Sequence, residues 1–219
     1  MNKCSFSGIV KTSATGAPSV GGVCAVNSGK IIQCESSAAV TSRGDYGRAG
    51  GVCGENSGTV SYCYNTGSVT NNNGDDNLGG VCGQNSGTIE NCYNTGPVSG
   101  SVTGKDAIAN VGGVCGRNNG GTITNCYWLN TSCDSGIGGG NGTSEKVESK
   151  SADQFTSGEV TWLLNAPQTA GPWRQTLVEN GDKFPNLDST HREVVRVTVD
   201  EDYVSYLNSG DDFNGEPDK

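Results

Sequence analysis

Between residues 20 and 130 the apolar positions fall in short runs closed by glycine or asparagine, and none keeps the three-and-four spacing of a helix. The pattern returns. Gly51-Val52-Cys53-Gly54-Glu55-Asn56-Ser57-Gly58-Thr59-Val60 recurs as Gly80-Val81-Cys82-Gly83-Gln84-Asn85-Ser86-Gly87-Thr88-Ile89. A weaker copy runs from Gly22 to Ile31, and a later one from Gly113 to Ile123 carries an extra glycine in its turn. The second half of the unit repeats too, Cys63-Tyr64-Asn65-Thr66-Gly67-Ser68-Val69 against Cys92-Tyr93-Asn94-Thr95-Gly96-Pro97-Val98. Cysteine spacings are 29 from Cys24 to Cys53, 29 from Cys53 to Cys82 and 33 from Cys82 to Cys115. Cys4 to Val10 matches the second half of a unit, so the chain is expected to begin inside a repeat.

Short β-prone runs at this period predict an all-β parallel β-solenoid (β-helix) of about four coils over residues 1–133, one repeat per coil. Each coil is expected to hold three strands: one at Gly-Gly-Val-Cys, one from Thr-Ile through Cys-Tyr, and one near the later valine. Stacking puts like residues over one another at the ~4.8 Å strand spacing, so Asn27, Asn56, Asn85 and Asn118 are expected to form an amide ladder. Gly29, Gly58, Gly87 and Gly120 follow two residues later, where a turn of positive φ is expected. Ile31 or Ile32, Val60, Ile89 and Ile123 form the inward apolar column. Val23, Val52, Val81 and Val114 directly precede Cys24, Cys53, Cys82 and Cys115, so a strict pleat turns only one of these two columns inward, unless the glycines bend the chain.

Composition agrees. Of 219 residues, 35 are glycine, 10 are cysteine and only 32% are hydrophobic, which argues against a helix bundle or a doubly wound α/β domain. The net charge of −9 divides unevenly: residues 1–144 carry eight acids and seven bases, and residues 145–219 carry fifteen acids and seven bases. Neither part has the basic stripe that binds a phosphate backbone, so nucleic acid is not an expected partner. No run approaches the ~18 apolar residues of a membrane span, and the first residues lack the apolar core of a signal peptide.

Residues 79–96, Gly-Gly-Val-Cys-Gly-Gln-Asn-Ser-Gly-Thr-Ile-Glu-Asn-Cys-Tyr-Asn-Thr-Gly, resemble the GLUG motif of bacterial surface and secreted proteins. Related repeats occur in large adhesin-like proteins and in non-catalytic regions of IgA peptidases. The resemblance covers residues 21–128, and the first coil departs from it at Ala25, Val26 and Glu35 to Ala38. Ser151 to Asn165, Gly171 to Leu177 and Phe184 to Asp188 are similar to the segment that often follows the last repeat. There Ser151-Ala152-Asp153-Gln154 predicts a capping box, and Val160, Leu163 and Leu164 mark one helical face. Residues 151–190 are therefore expected to be a small mixed α/β C-terminal cap. Residues 134–150 are expected to be a Gly/Ser linker, and 191–219 a strand at Val195, Val197 and Val199 with an acidic tail or the start of a further module.

The cysteines allow two readings. Intracoil disulfides would join Cys24/Cys34, Cys53/Cys63, Cys82/Cys92 and Cys115/Cys126, leaving Cys4 and Cys133 over; alternatively both columns are free thiols packed as small hydrophobes. The resemblance favours packing, because the motif usually has an aliphatic residue at the first cysteine. No Cys-x-x-Cys spacing supports zinc, and no EF-hand loop is present.

No catalytic residue, metal or cofactor is expected. His191, the only histidine, lies beyond the repeats and reads as a solvated side chain. The column Val26, Glu55, Gln84, Arg117 changes chemistry at every coil, unlike the converging carboxylates of a polysaccharide-active β-helix enzyme, which remains the catalytic alternative. The loops closing each coil, Thr41 to Ala49, Thr70 to Leu78 and Ser99 to Val111, carry Asp45, Asp75, Asp76 and Asp106. These are the candidate ligand-binding residues, since stacked loops emerging on one side could form a continuous ligand- or calcium-binding surface; the plainer reading is that Gly-Asp simply makes the turn. The resemblance implies an extracellular or cell-surface stalk or adhesin-like surface whose partners are a glycan or a host surface protein. Self-association through the N-terminal coil edge, as in a surface filament, is the third alternative.

Overall fold

The computed structural model describes residues 1–12, 16–43, 45–71, 76–100, 110–166, 171–198 and 204–211. The chain divides into two compact units, Met1–Lys150 and Ser151–Lys219.

The first unit is a parallel β-solenoid. A partial winding, β1 (Ser5–Phe6) and β2 (Ile9–Lys11), precedes a first coil of β3 (Ser19–Gly21), β4 (Cys24–Asn27), β5 (Lys30–Ile32), β6 (Glu35–Ser36) and β7 (Ala39–Ser42). The second coil repeats the series as β8 (Arg48–Gly50), β9 (Cys53–Asn56), β10 (Thr59–Ser61), β11 (Tyr64–Asn65) and β12 (Val69–Asn71). The third is β13 (Asn77–Gly79), β14 (Cys82–Asn85), β15 (Thr88–Glu90), β16 (Tyr93–Asn94) and β17 (Val98–Ser99). Then come β18 (Asn110–Gly112), β19 (Cys115–Asn118), a long β20 (Thr122–Leu129), β21 (Ile137–Gly140) and β22 (Thr143–Lys150). Among the described residues three coils are thus complete, flanked by partial windings, where about four were expected.

The strands stack into four sheets. Sheet I is β3, β8, β13 and β18; sheet II is β4, β9, β14, β19 and β21; sheet IV is β2, β7, β12 and β17. Sheet III holds the remaining nine solenoid strands. Registers follow the repeat: Cys53 pairs with Cys82, Val60 with Ile89, Tyr64 with Tyr93 and Val69 with Val98.

Each complete coil has five strands rather than three, for two local reasons. The chain bends between the glycine run and the cysteine, so Gly-Gly-Val-Cys contributes to sheets I and II. That bend also turns both neighbouring columns inward: Val52, Val81 and Val114 are buried alongside Cys53, Cys82 and Cys115. The second break is a column of left-handed residues before the later cysteine, Gln33 (φ 53°), Tyr62 (52°), Asn91 (53°) and Asn125 (50°). It separates β5 from β6, β10 from β11 and β15 from β16.

The turn glycines have a different cause from the one expected. Of Gly29, Gly58, Gly87 and Gly120, only Gly120 has positive φ, at 78°. Gly58 and Gly87 are small because the adjacent coil lies on them: a Cβ at Gly87 would collide with the Gly58 carbonyl oxygen and stand 2.7 Å from the Ser57 carbonyl carbon.

Ile31, Val60, Ile89 and Ile123 are buried at the centre with both cysteine columns, each contributing roughly 1.5–3 kcal/mol over an exposed side chain. All ten cysteines are free thiols, which selects packing over intracoil bridges. The first cysteine column donates its Sγ–H to the carbonyl two residues on, as Cys53 does to Glu55, and the second to the carbonyl two residues back, as Cys92 does to Glu90, both at 3.1 Å.

Residues 134–150, expected as a linker, instead extend the solenoid. β21 pairs with β19, and β22 pairs with β20 from Thr122↔Thr143 to Leu129↔Lys150. In this winding Trp128 replaces the asparagine of the two preceding coils, pairing with Asn94 and donating its indole N–H to the Cys133 carbonyl at 2.9 Å.

The second unit opens with the expected capping box: the Ser151 hydroxyl accepts the Gln154 N–H and the Gln154 side chain accepts the Ser151 N–H. Helix α1 (Ala152–Thr156) stops at Ser157, and Gly158 at φ 89° starts α2 (Glu159–Asn165). Val160 and Leu164 are buried while Leu163 is half-buried. Trp173 is buried with its backbone clasped by the Asn165 amide, at 2.9 and 3.0 Å. The acidic end is more than a tail: β23 (Val194–Thr198) pairs antiparallel with β24 (Val204–Asn208). Asn208 is buried and bonds the backbone of Gln175 and Leu177.

Candidate functional site

The closing loops join sheet IV of one coil to sheet I of the next, so their ends are set by the stacked registers of β7 with β12 and β8 with β13. Of the four candidate aspartates, Asp75 and Asp106 lie outside the described residues. Asp45 sits exposed in a turn. Asp76, by contrast, is fully buried. Its Oδ1 accepts the Gly47 N–H from the coil before, at 2.5 Å. Burial pushes its carboxyl above the ordinary carboxylate range; the Gly47 N–H and the Ser42 and Asn71 side chains oppose that shift, and the charge of Asp45 adds to it. The expectation of a shared aspartate surface therefore separates into an exposed Asp45 and an inward Asp76.

The outward column of sheet II is tied into local bonds. Glu55 accepts from Ser19 at 3.2 Å and pairs with Arg48 at 3.6 Å, and Gln84 accepts from Arg48 at 3.2 Å and Asn77 at 3.3 Å. In register the column reads Val26, Glu55, Gln84, Arg117 and Gly139, with one carboxylate. A glycosidase pair of acids is not built on this face.

Sheet III carries features that the repeat pattern foreshadowed only in part. Tyr64 stacks on Tyr93 with ring centroids 5.0 Å apart and planes 6° from parallel, and its hydroxyl donates to Glu35 one coil earlier. Burial, then that carboxylate, raises the Tyr64 phenol well above its usual range. A second amide ladder joins Asn65 to Asn94 at 2.8 Å, and a third, on sheet I, joins Asn110 to Asn77 at 2.8 Å. The recurrence of Cys-Tyr-Asn-Thr-Gly was the signal for the second ladder; nothing local in sequence marks the third.

His191 is not simply solvated. Its Nδ1 lies 2.5 Å from Asp182 Oδ2, which also accepts the Thr176 N–H at 2.7 Å, so the ring braces a loop of the second unit. Among the described residues no group of three or more His, Cys, Asp or Glu side chains is arranged to hold a metal ion. No helix among them is long and apolar enough to cross a membrane.

The family model described as the GLUG motif matches residues 45–70 and 74–103. Two successive stretches of the chain are thus similar to the GLUG motif. The first match runs from β8 into β12 and the second takes in β13 to β17, so each GLUG-like stretch corresponds to one winding of the solenoid. Residues 151–190 lie outside the matched stretches. No curated protein and no solved structure matches the chain.

Proposed function

We propose that this chain is a non-catalytic, repeat-built segment of an extracellular or bacterial cell-surface protein, a stiff stalk whose closing loops offer an adhesin-like side surface to a glycan or host protein. The observation that carries the reading is the continuity of the ladders. Asn27, Asn56, Asn85 and Asn118 bond in series at 2.8, 2.8 and 3.0 Å while the outward column changes chemistry at every step. A fold that keeps its interior columns and varies its exterior suits presentation, because the interior sets spacing and the exterior sets recognition. The half-buried carboxylate on that face, already engaged with Arg48 and Ser19, supports a non-catalytic role.

Binding to an immobilised glycan array by the whole chain, lost when residues 41–49 and 70–78 are exchanged for short polar turns, is the expected result. No binding to glycans or to host surface proteins would leave the stalk alone. Release of reducing ends from polysaccharide, abolished by Glu35→Gln with Glu55→Gln, would replace this reading with the enzyme.

Self-association is the second reading, favoured by the first windings. β2, β3 and β4 are terminal strands of their sheets, and Ile9 and Val26 are 69% and 57% exposed there. Light scattering of the chain against a version starting at Gly21 tests it.

A further inference from the structure

At the corner where sheet IV ends and the closing loops leave, the interior of the solenoid changes from apolar to polar. Val40 and Val69 point into the core, and pleat alternation turns Ser42 and Asn71, two residues on, the same way; both are buried. Facing them are Gly47 and Asp76, which hold matching places because the next residues, Arg48 and Asn77, pair in register. The second coil thus supplies Asn71 and Asp76, and the first supplies Ser42 and Gly47.

Asp76 and Ser42 are both fully buried; Ser42 lies close enough to Asp76 to favour its charged form, yet neither Asp76 Oδ2 nor Ser42 Oγ makes a hydrogen bond of good geometry among the described residues. Glycine at position 47 permits their approach: a Cβ there would collide with Ser42 Oγ and stand 2.9 Å from Asp76 Oδ1. No ion pair among the described residues reaches Asp76, and the nearby Asp45 adds charge of the same sign. A buried carboxylate oxygen in this setting is neutralised either by a proton or by a positive partner, since desolvating its charge alone is strongly unfavourable. The groups that converge are carboxylate, hydroxyl and amide, an oxygen set that selects hard cations over zinc or copper.

We propose that Asp76 Oδ2 and Ser42 Oγ hold a hard cation of the calcium class at this corner, joining the first coil to the second from inside. The ion neutralises Asp76 and fixes the two positions from which successive closing loops depart. It therefore couples loop presentation to cation concentration, and does so whether or not the loops bind a glycan.

The test is thermal unfolding and titration calorimetry of the whole chain, stripped with EDTA and then given calcium chloride at neutral pH. One calcium per chain and a midpoint raised by several degrees are expected. Asp76→Asn keeps an acceptor for the Gly47 N–H while removing the charge, and should bind no calcium at this site. Ser42→Ala should weaken binding at least about tenfold, and it decides the matter if the first variant fails to fold. Asp45→Asn, in the exposed turn, should retain binding. The proposal is overturned if wild-type chain shows neither heat nor shift. It is equally overturned if Asp76→Asn, or Ser42→Ala in its place, binds calcium like wild type. A metal-free chain stabilised by mild acid and indifferent to calcium would show that a proton, not a cation, neutralises Asp76.

Discussion

Asn56 donates its side-chain amide to Oδ1 of Asn85, 2.8 Å away in the next coil, and receives the same bond from Asn27 at 2.8 Å in the coil before. The same side chain also bonds its own turn, accepting the Gly58 N–H at 3.2 Å and donating to the Gly58 carbonyl at 3.3 Å. One residue thus closes a turn and ties three windings together.

Replacing Asn56 by alanine strands these buried groups, and a loss of roughly 2–4 kcal/mol is expected in urea unfolding followed by circular dichroism. Asn56→Asp should be worse at neutral pH, since a carboxylate has no N–H to give and faces the Asn85 oxygen. Burial would raise the folded pKa of that aspartate, so its penalty should shrink as pH falls through that value towards the unfolded value of about 3.9.

The thiol ladders predict an alkaline instability. Burial first, then neighbouring cysteines, holds the Cys82 thiol well above the ordinary thiol range, and burial likewise leads at Cys63 and Cys92. Unfolded thiols release protons near pH 8.5, whereas these folded ones keep theirs. Their contribution is complete below about pH 8.5 and falls above it by roughly 1.4 kcal/mol per pH unit per thiol. Cys92→Val should lower that slope by one thiol's share, read from urea midpoints over an alkaline series.

Backbone conformation at Gln33 offers a stabilising change. Asn91 and Asn125 occupy the same left-handed column, and asparagine tolerates it better than glutamine. Gln33→Asn is expected to raise stability by a part of the roughly 1–2 kcal/mol that left-handed backbone costs an L-residue, measured as an increase in melting temperature.

Two glycines of one column should respond unequally to alanine. At Gly87 the added Cβ meets the backbone of the adjacent coil, 2.9 Å from Gly58 N, and overpacking of about 1–3 kcal/mol is expected. At Gly29 nothing lies within 4 Å, so Gly29→Ala should be close to neutral. Thermal unfolding of the two variants side by side measures the difference.

Much of this was readable from residues alone, because stacking turns sequence period into spatial register. The asparagine column, the Ile31–Val60–Ile89–Ile123 core and the Ser151 capping box each rest on a local or periodic signal, and each is present. The linker reading of 134–150 failed because its glycines pack against neighbours as they do within the coils: a Cβ at Gly138 would stand 2.4 Å or more from backbone of the preceding windings. Composition cannot tell a flexible glycine from a close-packed one. Nor could it separate Asp45 from Asp76, which differ in burial although both lie in closing loops.

What the sequence determined by itself is the repeat: its length, its turn residues and the side chains that recur over one another, since a period survives in one dimension. Only the tertiary structure decided which way each residue faces at the corners. There the bends place adjacent valine and cysteine both inside and carry Asp76 into the core beside Ser42, because orientation at a bend depends on backbone dihedrals and on the neighbouring coil rather than on the local alternation of residue types.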